Sequence, residues 1–79
     1  MNDDFSKRLG EWLAEKRKQA GMSQTQVAEK MGSVKQRISN WETGYREMNA
    51  KDLIRYCEII NADLDELADF FRRSTYAGL

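Results

Sequence analysis

Apolar residues recur at three-to-four spacing from the start of the chain. Phe5, Leu9, Trp12, Leu13 and Ala20 predict an amphipathic helix over residues 5–20. Asn2, Asp3 and Asp4 precede it as a capping segment with acids at the positive helix end, and Gly21 follows as its stop. Ser23 with Gln26 three residues on is a capping-box pattern, so a second helix starts there with Val27, Ala28 and Met31 facing inward and Gly32 ending it. A third pattern follows after three residues, with Ile38 and Trp41 apolar and Gly44 closing it. Asn49 and Asp52 start a fourth helix with Leu53, Ile54, Cys57 and Ile60 as its stripe and Tyr56 on its flank; Asn61 ends it. Asp63 and Glu66 start a fifth, along which Leu64, Leu67, Ala68, Phe70 and Phe71 run. The expectation is an all-α, compact five-helix domain with a core over residues 5–73, a fraying tail at 74–79, and little room for a ligand cavity.

Residues 24–44 carry the most informative part of this pattern. Two short helices joined by a tight turn at Gly32, Ser33 and Val34 predict a helix-turn-helix, with the second helix projecting from the domain. Ala28 is small where the two helices meet, and Ile38 and Trp41 anchor the second helix inward. Lys35, Gln36, Arg37 and Asn40 are then left on its outer face. Arg and Lys pair with guanine edges in the major groove, and Gln and Asn with adenine edges. Gln24 at the start of the first of these helices suits a phosphate contact, and Arg46 beyond the second suits another. On any one helix such a row is more often just a solvated face.

Composition narrows the alternatives. The 79 residues suffice for one domain and one modest core, with 41% hydrophobic and 33% charged residues. No apolar run approaches a membrane span, and no charged-then-apolar leader pattern opens the chain, so a cytoplasmic setting is expected. There is no histidine, one cysteine, no metal-ligand spacing and no phosphate-cradling glycine loop, so neither catalysis nor a metal or other cofactor is expected. Cys57 falls at an apolar-periodic position and reads as a small buried hydrophobe. The 13 basic and 13 acidic residues cancel. Residues 1–48 nevertheless hold nine basic against seven acidic residues, and residues 49–79 four against six, so any DNA-facing surface belongs to the first part.

Read as a string, residues 9–67 resemble the Cro/repressor, or XRE-like, helix-turn-helix family. The matching pieces are Leu9-Gly10-Glu11, Arg17, Ala20-Gly21-Met22-Ser23-Gln24, the run from Val27 to Gly32, the run from Ile38 to Gly44, and Asp63-Leu64-Asp65-Glu66-Leu67. The resemblance implies a lambda-repressor-like fold of five helices, with double-stranded DNA read by the third. It implies base contacts by Lys35, Gln36, Arg37 and Asn40. It implies backbone contacts by Ser23, Gln24, Ser33, Thr43 and Arg46, and it pairs Arg17 with Glu42. Three departures stand out. The family has an apolar residue and then Ser or Thr after the turn glycine, whereas here the order is Ser33-Val34, which predicts a displaced first turn. Glu47 replaces a loop cation, and Lys16 stands at a common leucine position.

The fifth helix carries more apolar bulk than one face can bury. Ile59, Phe70 and Tyr76 are left over and predict a homodimer interface, with two recognition helices about 34 Å apart on a palindromic site. The leading expectation is a sequence-specific transcriptional regulator, a repressor or controller. A DNA-binding antitoxin working with a toxin partner, or a protein-interaction module, is the alternative.

Overall fold

The computed structural model describes residues 2–76, with side chains from 4 to 74. Five helices follow one another: α1 Asn2–Gln19, α2 Gln24–Met31, α3 Lys35–Glu42, α4 Ala50–Ile59 and α5 Leu64–Tyr76. No strand occurs among the described residues. The starts of α2, α4 and α5 are capped as their sequences predict. Ser23 and Gln26 close a reciprocal capping box at 3.0 and 2.8 Å. Asn49 Oδ1 accepts from the Asp52 amide at 2.7 Å, and Asp63 Oδ1 from the Asp65 amide at 2.9 Å. Each cap satisfies a backbone N–H that the first helical turn leaves without a partner.

The core lies where the helical stripes converge. Leu13 comes from α1, Val27 and Ala28 from α2, Ile38 and Trp41 from α3, Leu53, Tyr56 and Cys57 from α4, Ile60 from its end and Leu67 from α5. Two glycines set how the helices meet. Gly32 ends α2 at φ 67°, a left-handed conformation that a side chain disfavours, and lets the Ser33 amide donate back to the Ala28 carbonyl at 2.8 Å. Gly10 brings α1 onto the C-terminal end of α3. A Cβ there would lie 2.4 Å from the Glu42 carbonyl oxygen and 2.5 Å from that of Trp41.

Several expectations need correction. Helix α1 begins at Asn2, so residues 2–4 form its first turn instead of preceding it. Helix α5 runs to Tyr76, past the expected fraying point at Ser74. Tyr56 is fully buried, because it sits three residues after Leu53 and four before Ile60, on the same stripe. Ile54, one residue off that stripe, is 43% exposed. Leu64 is 46% exposed, because it opens α5 a full turn ahead of Leu67, the first residue of that helix to reach the core. Phe70 is not left over. It is half-buried, 5.5 Å from the Trp12 ring and 5.9 Å from Phe5 by centroid. Ile59 is also half-buried against the core, and the Tyr76 side chain lies outside the described residues. There is also more open space than expected. A half-open apolar pocket of about 380 Å³ lies between α1, the α3–α4 loop and α5, lined by Phe5, Leu9, Met48, Leu53 and Phe71 among others.

Candidate nucleic-acid interface

Helix α3 divides cleanly by face. Ile38 and Trp41 are buried, and Glu42 is buried with them. Lys35, Gln36 and Arg37 are exposed and Asn40 is half-exposed. This split follows from sequence: positions 38, 41 and 42 lie within one arc of the helix, and 36, 37 and 40 on the other side. Among the described residues neither Lys35 nor Arg37 has an acidic side chain within ion-pair distance. Both cations are therefore available to a ligand.

Gln36 and Asn40 are not independent. Gln36 Nε2 donates to Asn40 Oδ1 at 2.9 Å, one helical turn away. That bond fixes the plane of the Gln36 carboxamide and leaves its Oε1 and second N–H outward. An acceptor beside a donor is the pattern that adenine N6 and N7 present in reverse.

The residues expected at the phosphate backbone fall at both ends of this face. Ser23 and Gln24 open α2, and Ser33 is half-buried in the turn. Thr43 ends α3, its hydroxyl 3.4 Å from the Asn40 carbonyl. Arg46 is held by its amide, which donates to the Asn40 carbonyl at 3.1 Å, while its guanidinium lies 5.5 Å from the Tyr45 ring. Sequence reasoning missed Tyr45, which is 73% exposed beside Arg46. An aromatic residue in the loop directly after Gly44 was its available signal.

The first turn of α3 departs from expectation in another way. The exchange of Ser33 and Val34 does not displace the helix, which starts directly after Val34. It removes the cap instead. Val34 has the extended backbone of an N-cap, but its side chain makes no capping hydrogen bond, and the residue is 64% exposed.

Behind the polar face, one carboxylate ties four helices together. Glu42 accepts from Arg17 Nε at 2.7 Å and Arg17 Nη2 at 3.0 Å. It also accepts from Gln24 Nε2 at 2.9 Å and from the Tyr56 hydroxyl. Arg17 Nη1 donates to the Met22 carbonyl at 2.9 Å. No buried side-chain polar atom is left without a partner among the described residues. Burial pushes the Glu42 carboxyl up, but the hydrogen bonds from Arg17, Tyr56 and Gln24 outweigh it and hold it below the usual carboxylate range. The hydrogen bond to Glu42 raises Arg17 further, and burial followed by the Glu42 bond pushes the Tyr56 phenol well above its ordinary value. The pair is therefore ionised at neutral pH. The Arg17–Glu42 bridge was expected from the family resemblance; Gln24 and Tyr56 as its further partners were not. Because Gln24 gives one N–H to Glu42, its amide plane is fixed and its second N–H is left outside this network.

Two short helices about a glycine turn, the second anchored by Ile38 and Trp41 and presenting Lys35, Gln36, Arg37 and Asn40, define a helix-turn-helix domain of the DNA-binding kind. The family model described as Helix-turn-helix matches residues 13–67, and the chain belongs to that XRE-type family. Among curated proteins, the HTH-type transcriptional regulator ImmR of Bacillus subtilis (strain 168) is 34% identical over 59 residues. That stretch is 75% of this chain and 46% of the relative, so the chain spans less than half the length of the curated protein it matches. No solved structure matches. No described helix is long and apolar enough to cross a membrane.

Proposed function

We propose that this chain is a sequence-specific regulator of transcription that lays α3 in the major groove of duplex DNA and acts by occupying an operator in the cytoplasm. The observation that carries the reading is the outward row Lys35, Gln36, Arg37 and Asn40, held at fixed orientation by Ile38, Trp41 and the Glu42 network. The likeness to a regulator by name supports it. In this reading Arg37 and Lys35 take guanine edges and Gln36, braced by Asn40, takes an adenine. Ser23, Gln24, Ser33, Thr43 and Arg46 follow the phosphates and set the register. Two copies pair about a two-fold axis through the outer surfaces of α4 and α5, where Ile54 and Leu64 remain exposed and Ile59 half-buried. Such pairing suits a palindrome with half-sites one turn apart.

Selection of binding sites from random duplex DNA at physiological salt tests the reading. An enriched palindrome with that spacing is the expected result. A folded protein that enriches nothing refutes it, and a single half-site with a monomer in sedimentation refutes the two-fold arrangement alone.

A further inference from the structure

The start of α3 departs from the usual rule of helix capping. Of the four helices whose N-cap residues are described, α2, α4 and α5 are capped by Ser23, Asn49 and Asp63. Helix α3 starts from Val34, which caps nothing. Valine at this position forgoes a hydrogen bond that Ser, Thr, Asp or Asn would supply. Nor does it contribute to the core: the residue is 64% exposed, while Ser33 beside it is half-buried. Val34 instead shares a shallow concave surface with Gln36, Arg37, Asn40 and Arg46, which Glu47 and Asp52 also line.

We propose that Val34 is a specificity residue that packs against the 5-methyl group of a thymine in the bound site. The inference rests on the DNA-reading role of α3 proposed above. In that role the N-terminal end of the helix goes deepest into the groove. Phosphates there are anionic and base edges are polar. The thymine methyl is the one apolar feature of the major-groove floor, and apolar side chains read it. Val34 brings two methyl groups to that floor in an extended backbone conformation that holds them ahead of the first helical turn. Serine, the usual type of residue here, would cap the helix and lose this contact. A thymine is thus specified close to the adenine that Gln36 faces.

The test replaces each thymine of a selected site with deoxyuridine, one at a time, removing only the methyl group. Binding is measured for the wild-type chain and for Val34→Ser. Wild type loses about fourfold in affinity at one position per half-site, the worth of one buried methyl. Val34→Ser binds the thymine and uracil versions of that position equally, and its melting temperature is no lower than wild type, because it regains the cap. Wild type indifferent to every methyl, or Val34→Ser as methyl-sensitive as wild type, overturns the assignment while leaving the DNA-binding reading in place. A wild-type chain that selects no site overturns both.

Discussion

Replacing Glu42 with glutamine keeps the shape of the side chain and removes its charge, which makes it the sharpest probe of the interior of this domain. In the wild type the carboxylate accepts four hydrogen bonds, two from Arg17, one from Gln24 and one from Tyr56. The amide of Glu42→Gln has one acceptor oxygen, so two of the four donors meet an NH2 group instead. If the oxygen stays toward Arg17 Nη2 and Gln24, the NH2 faces Arg17 Nε and the Tyr56 hydroxyl. The hydroxyl can turn and accept; the guanidinium N–H cannot. Arg17, whose side chain is only 9% exposed, is left charged without a counter-charge. Breaking a buried pair in this way costs about 3–5 kcal/mol. A chain of 79 residues has roughly 4–12 kcal/mol of stability in total, so the variant is at or near the edge of folding. Urea unfolding at pH 7, followed by far-ultraviolet circular dichroism, reads this directly. With a slope of about 1 kcal/mol/M, the midpoint falls by about 3 M or more. The same variant tests the pH dependence. The Glu42 carboxyl is held below its unfolded value, so it contributes stability that is fully present above about pH 4.3 and is lost as pH falls through its lower folded value. Glu42→Gln removes that contribution and flattens the acid limb. A loss under about 1 kcal/mol at pH 7, or an unchanged acid limb, refutes the account of a buried, ionised hub.

Three other outcomes are expected. Gly10→Ala lowers stability by about 1–3 kcal/mol although alanine favours helix, because its methyl would strike the Trp41 and Glu42 carbonyls; a melting temperature above wild type contradicts the close approach. Cys57 resists thiol reagents at pH 8 until the domain unfolds, since it is buried and its thiol is pushed up to about 11 by burial and then by neighbouring Glu58; labelling of native protein at the rate of a free thiol contradicts this. Arg37→Ala relaxes preference at one base position by about 1–3 kcal/mol, whereas Gln24→Ala weakens all duplexes alike; equal losses across sequences for both variants refute the division between base and phosphate contacts.

The helix order was legible because each stripe and each stop is local. Ser23 with Gln26, Asn49 with Asp52 and Asp63 with Glu66 mark helix starts from within four residues. The outward row of α3 was legible for the same reason. What sequence did not disclose depends on distant parts of the chain. Tyr56 looked like a flank residue because its hydroxyl needs a partner, and that partner, Glu42, sits on a helix fourteen residues earlier in the chain. Phe70 looked surplus because Trp12 and Phe5, its partners, lie on the opposite end of the chain. Ile54 and Leu64 looked internal, since periodicity gives a face but not where the neighbouring helix stops. The meaning of Gly10 was hidden entirely, because only the crossing of α1 over the end of α3 makes a methyl group intolerable there.

The division of α3 into a buried and an exposed face has a consequence for how this domain changes over time. Ile38, Trp41 and Glu42 hold the helix, while Lys35 and Arg37 are exposed and Gln36 and Asn40 bond only to each other through their side chains. Substitutions at such exposed positions shift stability by no more than about 0.5 kcal/mol. These exposed residues can therefore be exchanged one by one while the fold stays intact at every step. In the proposed reading, preference for a new operator lies a few single substitutions away, along a route that never passes through an unfolded intermediate sequence.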